Sequence, residues 1–535
     1  MAYLAGSTFV GLNTNTDARR IKPNKDTEGI FESVEMTNLD LVGDGAMVTS
    51  KGFEAVSNVS GSGGVLNLLN YDKDTDNRWL LITYDDDHYS ISPTDTDWSN
   101  TNLGDYGTVG TLVGGVVYKG TTDGTSIIRR AILGTDIDAN TIQKVDISNA
   151  MEDVGGTPPT HGYIMAVFQG YLMVALGATL YITNAEDETD WATVGTVGFN
   201  DIITGISVDG ERATVFTRSY HQGMRVYLDD ANSLSVPLKE PYERPFGCLA
   251  HKTVVPTGSN TYYWSPRGIM RLGEEINYTS AVPRPRSLSK DIENSLENIN
   301  TSQRAKATSV FWDEKRQYWM ATPFGSENVN SICWIYWEDW NAWTTRDGFY
   351  PGDLELFRDS DYKNELYFGD ANSPYLYKFN DDYSYDGAGY TRRWKSKIFT
   401  MGTGVQFKQF TRIDLTGSMD TGTEFFITLD VDGTKKKYKI DNTFLLRSSF
   451  SQYIGDHIYG NEWIGGDAPS ESRFKRFYAP LEFPKEIREG MELQITIEND
   501  EPEQPFKIDF LGIEYNVLSR KQVPGRKFVN VQVST

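Results

Sequence analysis

Apolar residues in this chain come in short runs, roughly five to eight long, separated by Gly, Asn, Asp and Pro. WLLITY (79–84), VGGVVY (113–118), SIIRRAIL (126–133), ATVFTR (213–218), TYYWSP (261–266), QYWMATP (317–323), SICWIYW (331–337) and ELYFGD (365–370) are such runs. Each has the length of a strand, and turn residues recur at roughly 8 to 12 residue spacing, as in all-β sandwiches and propellers. The longest apolar stretch, Gly162 to Ile182, has the length of a membrane span, about 20 residues. Gln169-Gly170 and Gly177-Ala178 cut it into three strand-sized pieces, and the acidic NAEDETDW that follows offers no basic anchor. Three consecutive buried strands are therefore expected. A run of such units from about 61 to 390 is too long for one sandwich, and radial repetition into a β-propeller accommodates it.

Other patterns flank this region. Residues 1–60 are polar and irregular, forming an N-terminal arm with one hairpin expected where Leu39 and Leu41 face Met47 across Gly43-Asp44-Gly45. Leu288, Ile292, Leu296 and Ile299 fall on one helical face, which predicts a short helix near 288–300 capped by Ser287 or Ser289. Ahead of it, Val282-Pro-Arg-Pro-Arg286 reads as a stiff, extended, basic segment. Arg284 and Arg286 there are the candidates for contact with DNA phosphates or with a neighbouring subunit. Beyond Tyr390, KQFTRIDLTG, EFFITLDVDG, MELQITIEND and FKIDFLGIEYNV alternate apolar and polar residues, the pattern of a β-sandwich with one buried face. The divisions are thus 1–60, 61–390 and 391–535, and the last is expected to fold alone.

Charge sharpens this division. The 535 residues carry a net charge of −23. Residues 391–535 hold 21 Lys and Arg against 20 Asp and Glu, whereas residues 1–390 hold 30 against 54. A broad basic face for gripping nucleic acid is excluded by such a balance. The 49 glycines and 68 aromatic residues (30 Tyr, 26 Phe, 12 Trp) suit many short strands joined by tight turns. Two cysteines, Cys248 and Cys333, make no disulfide framework and point to free thiols in a reducing compartment. The start MAYLAGSTFVG has too short an apolar core for a signal peptide, so a soluble, unprocessed N-terminus is expected.

Candidate chemistry is sparse. His88, His161, His221, His251 and His457 stand singly, without a second ligand at zinc spacing. Asp85-Asp-Asp-His88 reads as an acidic turn, and Asp430-Val-Asp-Gly433 as a hairpin turn lacking the bidentate Glu of a calcium loop. Glu338-Asp339, between Trp337 and Trp340, tempts a glycosidase reading, but neighbours in a strand point to opposite faces. No nucleophile elbow, P-loop or dinucleotide fingerprint occurs. No enzyme and no cofactor are expected.

Several phrases together resemble the nozzle proteins of short-tailed bacteriophages, also described as tail tubular protein B or packaged-DNA stabilisation proteins. The opening GLNTNTDARRIKPNKDTEGIFESVEMTNLDLVGDGAMVTSKGFEAV is similar to theirs, with Asn38-Leu-Asp-Leu41, Gly45-Ala46 and Gly52-Phe53 on the family's hairpin pattern. GYLMVALGATLYITNAEDETDW, FNDIITGISVDGERATVFTR, NTYYWSPRGIMRL, SLSKDIENSLENIN, SICWIYWEDWNAW, ELYFGDANSPYLYKFN and GYTRRWKSKIF follow in the family's order, so the likeness spans roughly residues 5 to 520. The resemblance implies a virion tail protein assembled in the host cytoplasm, a homo-oligomeric ring, commonly a hexamer, below the portal and adaptor proteins and near tail fibres or spikes. Such a ring retains packaged double-stranded DNA and conducts it during ejection. The alternatives are a glycan-active tail propeller and a receptor-binding propeller. Against the first, Ser92-Pro-Thr-Asp-Thr-Asp-Trp98 comes nearest to the sialidase blade turn and lacks its glycine.

Overall fold

The computed structural model describes residues 2–518 except 7, 17, 19–29, 44, 59–62, 73–77, 85–86, 92–99, 106–111, 122–126, 146–150, 211, 228–235, 241–242, 259, 278–279, 359–362, 402–405 and 447–473. For some strand residues, Arg284 among them, it describes the backbone alone. The chain divides into two compact units, Lys51–Tyr390 and Met1–Ser50 with Thr391–Thr535.

Lys51–Tyr390 is a β-propeller. Among the described residues it has seven antiparallel sheets of four strands, one with a short fifth strand. Blade 1 comprises Val65–Asp72, Arg78–Tyr84, Asp87–Ile91 and Asn100–Asp105, and blade 2 Val113–Thr121, Ile127–Thr135, Gln143–Val145 and Met151–Asp153. Blade 3 is Ile164–Phe168, Tyr171–Leu176, Thr179–Ile182 and Gly195–Gly198; blade 4 is Ile203–Asp209, Arg212–Thr217, Tyr220–Tyr227 and Val236–Lys239, with Arg244–Pro245 added. Blade 5 is Val255–Pro256, Asn260–Ser265, Gly268–Asn277 and Ser280–Ser287, and blade 6 is Thr308–Trp312, Gln317–Thr322, Ile332–Trp337 and Ala342–Asp347. In blade 7, Pro351–Arg358, Asn364–Asp370 and Tyr375–Phe379 are completed by Phe53–Asn58 from the other end of the unit. The first strand of each blade packs on that of the next, and that of blade 7 on that of blade 1, so the inner strands form a closed ring.

The stretch from Gly162 to Ile182 makes the three inner strands of blade 3. Gln169 (φ 50°) and Gly170 (φ 87°) form a two-residue turn with both residues left-handed, the geometry that matches strand twist. Leu172, Met173, Val174, Leu180 and Ile182 are fully buried and pack towards blades 2 and 4. Leu176, at the strand end, is only half-buried. No helix among the described residues is long and apolar enough to cross a membrane.

The expected helix is shorter than its periodicity predicts. A 3-10 turn at Lys290–Ile292 leads into a single α-turn, Glu293–Leu296, in the connection between blades 5 and 6. Neither serine caps it: the Ser289 hydroxyl instead accepts the Ile269 N–H at 2.9 Å, tying the connection to blade 5. Leu288, Ile292 and Ile299 are buried, so the apolar spacing records packing on the blades more than helical repeat.

The second unit is a sandwich of two sheets. In one, Lys475–Glu482, Lys408–Met419, Phe506–Val517, Ala46–Thr49 and Leu39–Val42 follow in order, with Ala2–Gly6 also on Phe506–Val517. In the other, Thr8–Leu12 runs parallel to Ile30–Thr37, which pairs with Arg392–Ser396, followed by Leu493–Asn499, Phe425–Val431 and Thr434–Ile440. Phe425 joins the layers, stacking on Phe506 at 4.7 Å and meeting Phe477 edge-on at 5.7 Å. The N-terminal arm is therefore strand-forming, and its strands are built into both sheets. Asn38, left-handed at φ 57°, turns between two of them and donates its amide to the Thr391 carbonyl at 2.7 Å.

Two measurements test these assignments. Leu180→Ala should destabilise by about 2–5 kcal/mol through a core cavity, and Leu176→Ala by clearly less, read from urea midpoints. A fragment of residues 391–535 should lack a cooperative unfolding transition, because Ile30–Thr37 and Ala46–Thr49 are missing from its sheets. Joining residues 1–50 to it through a flexible linker should restore that transition. A cooperative transition in the fragment alone would refute the dependence on the arm.

Candidate functional site

Two gatherings of charged side chains in the propeller bear on function, one in the central funnel and one at the outer edge of blades 5 and 6. In the funnel, the short turn His251–Thr253 precedes the inner strand of blade 5. From it the Lys252 ammonium donates to the Leu66 carbonyl of blade 1 (2.9 Å) and to Asp353 Oδ2 of blade 7 (2.6 Å). Asp353 also accepts from the Leu68 N–H at 2.9 Å, the Leu354 N–H at 3.0 Å and the Thr308 hydroxyl of blade 6. Ser309 donates to the Lys252 carbonyl at 2.9 Å, and the Tyr318 hydroxyl to the Thr253 carbonyl at 3.0 Å. One lysine thus spans the funnel where the inner strands begin and ties four blades together. With Asp353 only 6% exposed, removing either partner leaves a poorly hydrated charge, a loss of about 3–5 kcal/mol.

Glu355 follows two residues on, hence on the same face of the strand as Asp353. Burial, reinforced by the Asp353 charge and only partly offset by Lys252, pushes its carboxyl up to about 8, so it is mostly protonated at neutral pH. His251 beside them is driven down to about 4 by burial and stays neutral. This cluster was not singled out by sequence reasoning. Its signal was available: two acidic residues at alternate positions in PGDLELF, an otherwise apolar strand.

The basic pair lies at the outer edge. Ser280–Ser287 is the outermost strand of blade 5, with Arg286 opposite Arg271 and Arg284 opposite Gly273. Extension is as the prolines require, but the segment is a sheet edge, where Pro283 and Pro285 remove backbone donors. Arg286 is exposed, and its charge reaches Tyr336 of blade 6. Nearby, Glu338 accepts from Tyr262 (2.9 Å) and pairs with Arg316 (3.1 Å) and Arg271 (3.5 Å), while Asp339 pairs with Arg316 (2.8 Å). Two arginines, Arg271 and Arg316, thus meet two carboxylates there. Glu338-Asp339 occupies the outer hairpin of blade 6, and both oxygens of Glu338 are held by these partners; Trp337 is buried, its indole N–H on the Thr344 hydroxyl at 2.9 Å.

The remaining candidates are dispersed. His88 is buried on Thr83 at 2.9 Å and His221 on the Phe246 carbonyl at 3.0 Å, with burial lowering them to about 3 and about 4. His161 meets Asp138 at 3.2 Å. Asp85, Asp86, His457 and Ser92–Trp98 lie outside the described residues. Asp430 and Gly433 close a tight hairpin, and the Asp432 carboxylate caps the backbone N–H groups of Met491 and Glu492, both at 2.9 Å. Cys248 and Cys333 are free and fully buried, and burial raises both thiols. Among the described residues, no three of His, Cys, Asp and Glu gather as a metal set.

No family model and no curated protein matches the sequence. Among solved structures, the chain is similar to the computationally designed Ika8 protein, with 9% identity and a TM-score of 0.35 over 61% of this chain and 100% of that one. It is also similar to BBS1N crystallised in complex with ARL6DN, with 13% identity and a TM-score of 0.40 over 62% of this chain and 98% of that one. These likenesses concern the fold alone.

Glu355 gives the site a pH signature. Unfolded, its carboxyl ionises near 4.5; folded, it holds its proton to about 8, so stability falls as pH rises through that window. Glu355→Gln should flatten the pH dependence of the melting temperature between those values and raise it at pH 8. An unchanged slope would show that Glu355 is solvated in the folded state.

Proposed function

We propose that this protein is a structural subunit of a bacteriophage tail nozzle or hub, a homo-oligomeric ring that continues the portal channel, retains packaged DNA and conducts it on ejection. The observation that carries the reading is the ordered succession of nozzle-like phrases along almost the whole chain. Several of their residues have architectural work: Asn38 turns between arm strands, and Gly52 lies where a Cβ would sit 1.8 Å from the Ser384 carbonyl oxygen. The acidic excess of residues 1–390 supports it too, because a wall of like charge lets a duplex pass without sticking. Since Lys252 spans the propeller's own funnel, the conduit on this reading is the space enclosed by several copies. Arg284 and Arg286, on the outermost strand of blade 5, are the proposed contacts to phosphate or to a neighbouring copy.

Light scattering and negative-stain imaging of the purified protein test this directly. The expected species is a ring with a central hole and a mass several-fold above 60.3 kDa, binding duplex DNA weakly and in a strongly salt-dependent way. A monomer at all concentrations, or a particle that cleaves capsular glycans, would overturn the nozzle reading.

A further inference from the structure

A cavity of about 340 Å³ opens between the inner strands of blades 2 and 3, where Val117 and Val167 supply apolar walls, Gly170 backbone, and Lys119 and Glu186 the charged rim. That volume lies within the range of sites that take a bound group. The loop on its acidic side is firmly shaped. Glu186 is left-handed at φ 63°, its N–H bonded to the Gly170 carbonyl at 2.9 Å, a conformation that costs energy for a non-glycine residue. Glu188 is withdrawn into the protein and neutralised by Arg130 (2.8 Å) and Lys144 (3.5 Å). Glu186 remains exposed at the rim, opposed there by Lys119, and half-buried Asp187 beside it accepts from the Thr189 N–H and hydroxyl.

Blade 4 carries a surface of the opposite kind. Leu238 on its outer strand is 52% exposed, the most exposed large apolar side chain among the described propeller residues. Opposite it in register lies Arg225, 48% exposed, and exposed Lys239 follows. Arg212, Arg225 and Arg244 share the Glu240 carboxylate at 2.7, 3.2 and 3.5 Å, so the knob has a basic surround.

We propose that a second copy of this chain occupies the cavity: Leu238 of one copy enters between Val117 and Val167 of the next, with Arg225 and Lys239 facing Glu186 and Asp187. The leucine acts as the buried anchor and the charges fix orientation. Knob and cavity belong to different surfaces, so the contact is head-to-tail, the kind that generates a closed ring when its rotation closes. The inference rests on the oligomeric part of the nozzle reading and names the contact that builds it.

Cysteine pairing tests it on the full chain, because Cys248 and Cys333 are buried and give little background. Leu238→Cys combined with Lys119→Cys should yield a ladder of disulfide-linked oligomers under mild oxidation, and neither single variant should. Leu238→Asp should weaken self-association roughly ten-fold or more while leaving the melting temperature of the monomer unchanged. If the wild type assembles but the double variant gives no ladder and Leu238→Asp still assembles, the contact lies elsewhere and this inference fails alone. A wild type that stays monomeric, with no ladder, overturns both the contact and the ring.

Discussion

The propeller exists because one short strand from its beginning completes its last blade. Phe53–Asn58 pairs with Tyr375–Phe379, closing a loop of more than three hundred residues with a few backbone hydrogen bonds and one aromatic anchor. Phe53 stacks on Tyr385 at 4.3 Å and meets Phe349, Phe368, Tyr377 and Phe379 at 4.9–5.8 Å. The backbone is drawn in as closely: the Gly52 N–H bonds the Asp382 carbonyl at 2.7 Å, and the Phe53 N–H that of Ser384 at 3.2 Å. Entropy of loop closure grows only slowly with loop length, so a compact anchor of this size can hold a large ring. The chain consequently enters and leaves the propeller side by side, at Lys51 and Tyr390.

The funnel lysine does for the inner ring what the closing strand does for the outer one. Lys252 and Asp353 are 101 residues apart in sequence, and between them they bind backbone or side chains of blades 1, 6 and 7. Buried ion pairs are poor sources of net stability, yet they tolerate few alternative arrangements. Here the aspartate has four hydrogen-bond donors and the lysine two acceptors, so the pair holds only when these inner strands are in register. Glu355 is the cost of placing a second carboxyl on the same face, and it is met by keeping its proton.

How much of this was legible in the sequence follows from the range of the interactions. The strands of blade 3 could be read because Gln169-Gly170 and Gly177 set their turns locally, and the Asp430–Gly433 hairpin for the same reason. The axial cluster could not, since no local pattern couples Lys252 to a carboxylate 101 residues away. Ala2–Gly6 and Ile30–Thr37 looked irregular because they pair with Phe506–Val517 and Arg392–Ser396, far along the chain, where no local alternation has to announce them. The helix was overestimated by its own periodicity: Leu288 and Ile299 are buried against blades, and a spacing of that kind can be met by packed turns as well as by a continuous helix. Leu176 belonged to an apolar run, but its place at the strand end leaves it half-buried, a distinction that composition does not carry.

A propeller can present ligand chemistry in its funnel, but here the funnel is occupied by a satisfied lysine–aspartate tie and a protonated glutamate, groups engaged in holding blades together. Trp337 and the carboxylates of the blade 6 hairpin are likewise engaged, by Thr344, Tyr262, Arg271 and Arg316. On the described surface lie an exposed leucine beside arginines held by Glu240 on blade 4, a cavity rimmed by Glu186 and Lys119 between blades 2 and 3, and an exposed arginine on the edge of blade 5. Polar groups that are fully partnered rigidify a scaffold, whereas unpartnered apolar and charged surface is where association gains free energy. The buried polar groups described here thus hold blades together, and the exposed leucine and charges are the surface on which the proposed assembly would draw.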